Sequence, residues 1–227
     1  MANLIAVMGE SGSGKTTSLR NLDPSTTYIF DADKKGLSWR GWKAQYNEGN
    51  HNYAVLDDNL MILDRLRYIN ANPKLAHIKT VVIDTMNGVM VADEYARKDT
   101  KGYDKWADLA WAVWGIVDYA LTMRDDLTVV FLAHSQTERD DSGALFTRIK
   151  TSGKKLDKLV LESKFTTVLN AKVINGEYVF VTRDPNSTAK APMGLFETDT
   201  IPNDITEVIK ALDEYNGIAP EKENANA

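Results

Sequence analysis

Eight residues close to the N-terminus constrain the fold of this chain more than any other feature. The segment at residues 9–16, GESGSGKT, fills every fixed position of the pattern G-x-x-x-x-G-K-[ST]. The apolar run Asn3–Met8 comes directly before it. Glycines let a loop turn its backbone N–H groups inward around phosphate oxygens, and a following helix N-terminus adds partial positive charge. The sequence therefore predicts a strand, a phosphate-binding loop and a helix over Thr16–Leu22.

The predicted loop supplies both charged and backbone groups for holding a nucleotide. The ammonium of Lys15 is expected to neutralise the β- and γ-phosphates, and the hydroxyl of Thr16 to bind Mg²⁺. Backbone N–H groups of the loop are expected to surround the phosphate oxygens. The nucleotide-binding residues predicted in this way are Gly9, Glu10, Ser11, Gly12, Ser13, Gly14, Lys15, Thr16 and Thr17.

A second segment completes the predicted metal site. The β-branched run Thr80–Ile83 is typical of a strand buried in a parallel sheet, and Asp84 follows it. A carboxylate at that position can hold Mg²⁺ through water. We therefore predict that Thr16 and Asp84 bind the metal, and that Lys15 and Asp84 act in catalysis.

The sequence lacks the motif with which GTPases recognise the guanine base. GTPases carry a guanine-recognising Asn/Thr-Lys-x-Asp, and the nearest segment here, KKLD at residues 154–157, lacks the Asn or Thr. The sequence therefore favours ATP over GTP, with Mg²⁺ as the companion ion.

Alternating strand and helix patterns along the chain predict an α/β fold with a mostly parallel sheet flanked by helices. An Asn175-Gly176 turn between two apolar runs predicts an antiparallel hairpin near the C-terminal end. The predicted elements are strands at Thr27–Phe30 and Leu127–Ala133, helices at 59–70, from Asp104 and after Asp204, hairpin strands at Phe165–Ile174 and Glu177–Thr182, and a loop at Gly143–Asp157. We expect one domain over residues 1–216 and a flexible tail over 217–227.

Composition excludes several other kinds of chemistry. The chain of 227 residues has no cysteine, so disulfides, thiolate zinc sites and cysteine nucleophiles are excluded. No apolar run approaches the ~18 residues of a membrane span, and we expect a cytoplasmic protein with no membrane partner. The net charge of −5 argues against wholesale polyanion binding, but it does not exclude a local basic groove.

The segment at residues 28–37, YIFDADKKGL, resembles the RecA family. In that family a strand ends in a similar Asp-Ala-Glu segment, whose last acid polarises the attacking water. The resemblance places Asp33 at this catalytic position. Asp31 is the competing candidate, because a carboxylate shorter than Glu must still reach the water.

Two further strands are similar to RecA-family elements. Thr80–Asp84 resembles the Walker B strand, and VFLAHSQ at residues 130–136 resembles the strand that ends in a sensor of the γ-phosphate. The resemblance places His134 at the sensor position, with Gln136 two residues further on. A neutral imidazole or an amide can donate a hydrogen bond to a phosphate oxygen and redirect the following loop.

The order of these motifs over about residues 1–215 is most similar to the small, core-only RecA-like ATP-binding proteins of phages. The resemblance implies a RecA-like core with the sensor strand between the Walker A and Walker B strands. It also implies an ATPase that forms a homo-oligomeric ring or filament on single-stranded DNA during recombination or strand annealing. A phage-encoded protein of this kind would act in the host cytoplasm.

A basic segment follows the sensor strand, where RecA-like proteins contact DNA. From Arg148 to Lys158 it has five bases and one acid. The candidate DNA-binding residues are Arg148, Lys150, Lys154 and Lys155. Mobile cations of this kind suit backbone phosphates, although a solvated surface or a protein contact would also explain them.

Two basic residues after the hairpin are candidates for a role in a neighbouring subunit. RecA-like ATPases place a basic residue here that reaches the neighbour's γ-phosphate, and the candidates are Arg183 and Lys190. A surface salt bridge is the alternative for either residue. Three functions remain open from the sequence: a DNA-dependent ATPase, an ATP-gated binding module with little turnover, and a P-loop kinase for a small phosphoacceptor.

Overall fold

A computed structural model describes residues 1–99, 104–139, 143–151 and 160–217, and for residues 104–111 it gives the backbone course alone. Lys154 and Lys155 lie outside the described residues, as does the predicted tail apart from Gly217. Within this part of the chain no helix is both long and apolar enough to cross a membrane.

Nine strands in the described residues form a sheet in the order β3-β2-β4-β5-β1-β7-β8-β9, with β6 paired to β5. All pairs from β3 to β7 are parallel, and the pairs β7–β8, β8–β9 and β5–β6 are antiparallel. The strands are β1 (Asn3–Gly9), β2 (Thr27–Asp31), β3 (Tyr53–Val55), β4 (Thr80–Asp84), β5 (Thr128–Arg139), β6 (Leu145–Ile149), β7 (Thr167–Ile174), β8 (Glu177–Val181) and β9 (Thr200–Pro202). The predicted α/β class is confirmed, and β5 lies between β1 and β4 as expected.

Helices cover both faces of the sheet. The described α-helices are α1 (Trp42–Gln45), α2 (Asn59–Ala71), α3 (Met86–Ala96), α4 (Asp104–Leu121) and α5 (Ile205–Tyr215). The side chain of Asp58 caps α2 by accepting from the N–H of Met61, and Asp204 caps α5 through Thr206. The capping pattern is only half formed at α5, because Glu207 pairs with Lys210 instead.

Two hydrophobic cores form because adjacent side chains of a strand point to opposite faces. Leu4, Ala6 and Met8 of β1 lie in the core beneath α2, α3 and α4. Ile5 and Val7 lie in the opposite core, with residues of α5. Burial on both faces explains why β1, β4 and β5 appear in the sequence as continuous apolar runs.

Two sequence predictions are wrong in detail. The helix after the phosphate loop is a 3-10 helix over Thr16–Leu19 and not a helix to Leu22. The Ser18 hydroxyl donates to the carbonyl of Lys15 at 2.6 Å, a local bond that competes with regular helix geometry. The predicted loop at Gly143–Asp157 contains β6, because β5 continues to Arg139 and offers it a partner edge.

The Asn175-Gly176 turn confirms the predicted hairpin. Both residues have positive φ, 54° and 84°, as a type I′ turn requires. The turn joins β7 to β8, and β7 in turn extends the parallel sheet beside β1. The C-terminal hairpin is therefore built onto the strand that carries the phosphate loop.

Candidate active site

The phosphate loop leaves the carboxyl end of β1 and packs against β7. A Cβ atom at Gly9 would lie 2.7 Å from the carbonyl oxygen of Ala171, so only glycine allows this approach. Gly12 and Gly14 have φ values of 79° and 92°, which glycine adopts without strain. The sequence pattern and the geometry therefore agree on why these positions are glycines.

Lys15 is buried and points back into its own loop. Its Nζ donates to the carbonyl oxygens of Gly9 and Glu10, both at 2.8 Å. Burial, followed by the nearby charge of Lys35, lowers the pKa of Lys15 to about 8. Because the Lys15 ammonium is buried and held by two neutral carbonyl oxygens, a phosphate oxyanion beside it would stabilise its charged form strongly.

Thr16 and Asp84 meet at the carboxyl ends of two strands. The Thr16 hydroxyl donates to Asp84 Oδ2 at 2.7 Å. Asp84 is fully buried, and burial raises its pKa to about 6. Its other oxygen, Oδ1, has no hydrogen-bond partner among the described residues.

These oxygens fit a magnesium ion. Mg²⁺ prefers hard oxygen ligands and usually takes one or two from protein, with water and phosphate oxygens completing the octahedron. Thr16 Oγ1 and the unpartnered Asp84 Oδ1 would hold it. Bound there, the ion would supply charge neutralisation for a phosphoryl group.

Asp33 lies in the loop after β2, beside Asp84. Its Oδ1 accepts from the Thr85 hydroxyl at 2.8 Å, and its Oδ2 lies 2.6 Å from Lys35 Nζ. Burial alone would raise the pKa of Asp33, but the hydrogen bonds from Lys35 and Thr85 outweigh it and lower the pKa. The carboxylate is therefore charged and oriented, and it is a weak base in this arrangement.

Asp31 has a different environment from Asp33. Its Oδ2 accepts from the Tyr53 hydroxyl at 2.6 Å and from the N–H of Gly36 at 2.8 Å. Asp31 is 1% exposed, whereas the Asp33 side chain is 17% exposed. The structure thus places Asp31 inside the fold, where it holds the loop, and Asp33 at the cleft.

His134 stands opposite Gly9 in the β1–β5 register and lines the same cleft as Asp33 and Lys35. Burial, followed by the charge of Lys15, lowers the pKa of His134, which favours the neutral imidazole. The cleft has a volume of about 650 Å³ and is also lined by Asn87 and Gly88. The position of His134 in this cleft suits a side chain that donates a hydrogen bond to a phosphoryl oxygen.

Asn87 connects the sensor position to the basic segment. Its Oδ1 accepts from the backbone N–H of His134 at 2.7 Å, and its Nδ2 donates to the carbonyl of Lys150 at 2.8 Å. The backbone N–H of Lys150 also donates to the carbonyl of His134 at 2.7 Å. Asn87 follows Asp84 by three residues, so one short segment carries the candidate metal-binding carboxylate and contacts both β5 and the residue after β6.

The β5–β6 ribbon carries the two described DNA-binding candidates. Arg148 pairs with Glu138 across the ribbon at 3.0 Å, and Lys150 is exposed directly after β6. The buried Glu162 holds the ribbon by accepting from the N–H of Ile149 at 2.8 Å. Lys150 is therefore exposed at the end of a ribbon that Glu162 holds in place.

Arg183 and Lys190 lie beyond the hairpin. The Arg183 guanidinium pairs with Asp199 at 2.9 Å, and the backbone of Lys190 pairs with Val168. In the part of the chain that the structure describes, neither side chain bonds to Lys15, Asp33, Asp84 or His134. The side chains of Arg183 and Lys190 therefore take no part in the described hydrogen bonds and ion pairs of the candidate site.

Sequence reasoning missed four residues of the site: Lys35, Thr85, Asn87 and Gly88. A Cβ at Gly88 would lie 2.5 Å from the carbonyl oxygen of Ala32, so this glycine lets α3 approach the Asp33 loop. None of the four belongs to a spacing pattern. The available signal was their position one to four residues after Asp33 or Asp84.

One comparison with known proteins finds a family. A family model described as an AAA domain matches residues 1–192, which cover the sheet from β1 to β8 and every site residue described above. No curated protein matches the chain.

Proposed function

Because the chain belongs to the AAA domain family, we propose that it is a magnesium-dependent ATPase of the RecA-like kind that acts on single-stranded DNA. Family membership indicates a nucleotide-binding ATPase in general. The more specific proposal is that it works in recombination or strand annealing as a ring or filament, in the cytoplasm of a host cell if a phage encodes it.

One observation carries the proposal: the candidate phosphate-binding lysine, the candidate metal-binding pair and the candidate base lie at one edge of the parallel sheet. Lys15 and Thr16 come from the loop after β1, Asp84 from β4 and Asp33 from the loop after β2. His134 of β5 lines a cleft together with Asp33 and Lys35. Such a set can bind a nucleotide–metal complex and orient a water at its terminal phosphate.

The link between this site and the β5–β6 ribbon supports DNA as the partner. Asn87 bonds both to His134 and to Lys150, so a change at the sensor strand reaches the basic segment through two hydrogen bonds. Lys150, with Lys154 and Lys155 further along, offers positive charge to a phosphate backbone. Nucleotide-dependent DNA binding would follow from this connection.

We propose assembly because neither basic candidate bonds to the candidate site in the described residues: Arg183 pairs with Asp199, and Lys190 is exposed. Arg183 and Lys190 could act on the nucleotide of a neighbouring subunit, where a cation stabilises charge in the transition state. ATP would then lie at a subunit interface. Repetition of the basic segment around a ring or along a filament would build a basic groove in the assembly, although each chain has a net charge of −5.

A second candidate function is favoured by the state of Asp33. Its carboxylate is bound by Lys35 and Thr85 and has a lowered pKa, which makes it a weak base. A protein with this arrangement could bind ATP to assemble and anneal strands, with little turnover.

Phosphate release from ATP, measured with and without single-stranded DNA, tests these functions against each other. Strong stimulation by DNA supports the ATPase. Tight ATP binding with negligible release under both conditions supports the gated module. Transfer of phosphate to a nucleoside or nucleotide would rule out both and support a small-molecule kinase.

The DNA partner is tested by reversing charge in the basic segment. Replacing Lys150, Lys154 and Lys155 together by Glu should lower DNA affinity and flatten its dependence on salt, because fewer counterions are released. The matched control reverses three exposed lysines elsewhere, Lys43, Lys74 and Lys210. Equal affinities for the two triple variants would show that overall charge matters and the segment does not.

A further inference from the structure

Lys35 brings an ammonium group to both carboxylates of the candidate active site. Its Nζ lies 2.6 Å from Asp33 Oδ2 and 3.8 Å from Asp84 Oδ1. Asp84 Oδ1 is the buried oxygen that has no hydrogen-bond partner among the described residues. Lys35 therefore stands beside the oxygen that is best placed to bind a metal ion.

The backbone around Lys35 is fixed while its side chain remains able to move. Asp31 accepts from the N–H of Gly36 at 2.8 Å and from the N–H of Lys35 at 3.4 Å. Beyond this anchored backbone the Lys35 side chain is 44% exposed, on a flexible four-carbon stem. The ammonium can thus leave the carboxylates without any change in the loop.

Lys35 adds positive charge to a cluster of acidic side chains. Asp31, Asp33 and Asp84 all interact electrostatically with Lys35, and Lys15 also lies near Asp84. Removing the Lys35 ammonium would leave these carboxylates with less positive charge beside them, so the cluster would attract a divalent cation more strongly.

An ammonium and a magnesium ion cannot both be neighbours of Asp84 Oδ1 without strong repulsion. A charge within about 4–6 Å of an ionisable group changes its ionisation equilibrium by about 10- to 1000-fold. We expect a like charge at this distance to weaken metal binding to a similar degree. A metal bound at Asp84 would displace Lys35. The displaced ammonium would then lie in a cleft that also receives the terminal phosphoryl group.

We infer that Lys35 is the internal counter-ion of the nucleotide-free site, which the incoming magnesium–nucleotide displaces and which then contacts the terminal phosphoryl group. The first part concerns the carboxylates alone. The second part rests on the proposed ATP-binding function. Lys35 would act on the nucleotide of its own subunit, unlike the candidates Arg183 and Lys190.

The metal alone, without nucleotide, tests the counter-ion. Mn²⁺ binding is measured by electron paramagnetic resonance on the wild type and on Lys35→Met, Lys35→Arg and Lys34→Met. Lys35→Met should bind Mn²⁺ about tenfold more tightly than the wild type, because a competing like charge is gone. Lys35→Arg should remain close to the wild type.

Lys34→Met is the matched control. Lys34 precedes Lys35 in the same loop, but its Nζ pairs with Asp57 at 2.7 Å and not with Asp33 or Asp84. The same lysine-to-methionine change should leave Mn²⁺ affinity unchanged there. Circular dichroism and thermal unfolding establish that each variant is folded.

Nucleotide binding tests the contact with the phosphoryl group. The ratio of affinities for ATPγS and ADP, measured with Mg²⁺, should fall about tenfold in Lys35→Met, since one charge-assisted contact to the terminal group is lost. Lys34→Met should keep the wild-type ratio.

Each outcome decides one part of the inference. Equal Mn²⁺ affinity in folded Lys35→Met and wild type would overturn the counter-ion, and an unchanged ATPγS/ADP ratio would overturn the phosphoryl contact. If the wild type binds no nucleotide, the proposed function and the phosphoryl contact both fail, while the Mn²⁺ measurement still decides the counter-ion.

Discussion

The hydroxyl of Thr16 donates a 2.7 Å hydrogen bond to Asp84 Oδ2, although the two residues are 68 positions apart in the chain. This contact joins the phosphate loop to the end of β4 before any ligand is present. It satisfies one oxygen of a fully buried carboxylate and leaves the other, Oδ1, without a hydrogen bond among the described residues. The site therefore contains a buried charge that folding alone does not fully compensate.

Replacing Asp84 by Asn should stabilise the nucleotide-free protein at pH 7 and abolish its response to Mg²⁺. Burial raises the pKa of Asp84 to about 6, so ionisation costs the folded state about 1–3 kcal/mol above that pH. In the wild type this loss of stability develops as pH rises through the window from about 4 to 6. Thermal unfolding of wild type and variant at pH 4 and pH 7 measures it.

The stabilisation by Asp84→Asn should be present at pH 7 and much smaller at pH 4, where the folded carboxyl group is protonated and the unfolded one is close to its own pKa of 3.8. Asp64→Asn provides the control, because the Asp64 side chain is 73% exposed and its ion pair in the described part of the chain is with Arg67. A variant at Asp84 that is less stable than the wild type at pH 7 would show that its contact with Thr16 outweighs the cost of burial.

Replacing Lys15 by Ala should abolish ATP binding. The lysine supplies the buried positive charge that faces the phosphates, and the loop N–H groups alone cannot neutralise them. Titration of the protein with a fluorescent ATP analogue measures the loss, with Lys43→Ala as a surface lysine control. Undiminished affinity would refute the assignment of the phosphate loop.

ATP binding should take up a proton at alkaline pH. The pKa of Lys15 is about 8 in the free protein, and phosphate oxygens favour the ammonium form, so binding raises it. Above about pH 8 affinity should fall as pH rises, by up to about tenfold per pH unit, while below pH 8 this group adds no dependence. Calorimetry in two buffers of different ionisation enthalpy measures the uptake at pH 9 and its disappearance at pH 7.

Replacing Asp33 by Asn should leave ATP binding intact and remove turnover. The amide keeps the shape of the side chain, but it cannot act as a base or orient water in the same way. Equilibrium binding and steady-state phosphate release separate the two effects. A fully active variant would transfer the role to another group, and Asp31→Asn would then be examined, although we expect that change mainly to loosen the loop held by Tyr53 and Gly36.

Replacing Asn87 by Ala should weaken the stimulation of ATP hydrolysis by single-stranded DNA more than it weakens ATP binding. The change removes both hydrogen bonds that join the His134 N–H and the Lys150 carbonyl. The ratio of stimulated to unstimulated phosphate release measures the coupling, and Asn216→Ala, an exposed amide at the end of α5, is the control. Unchanged stimulation would show that coupling uses the backbone pair of His134 and Lys150 alone.

Much of the fold follows from local patterns in the sequence. Continuous apolar runs predicted β1, β4 and β5, and the Asn175-Gly176 turn predicted the hairpin, because buried strands and type I′ turns impose strict local requirements. The strand β6 was missed because its apolar residues, in LFTRI, do not alternate strictly and stand in a polar, basic segment that predicts a loop. It forms because β5 extends beyond the main sheet and provides hydrogen-bonding groups to pair with.

The sequence by itself determined the phosphate loop, because binding phosphate with backbone N–H groups requires glycines and a lysine at set spacings. It also placed Asp84 at the end of a buried strand. Only the tertiary structure decided which further groups join the site: Lys35 beside two carboxylates, Asn87 between His134 and Lys150, and Gly88 against the Asp33 loop. These contacts depend on the order and register of neighbouring strands, and a linear sequence does not encode them in any local spacing.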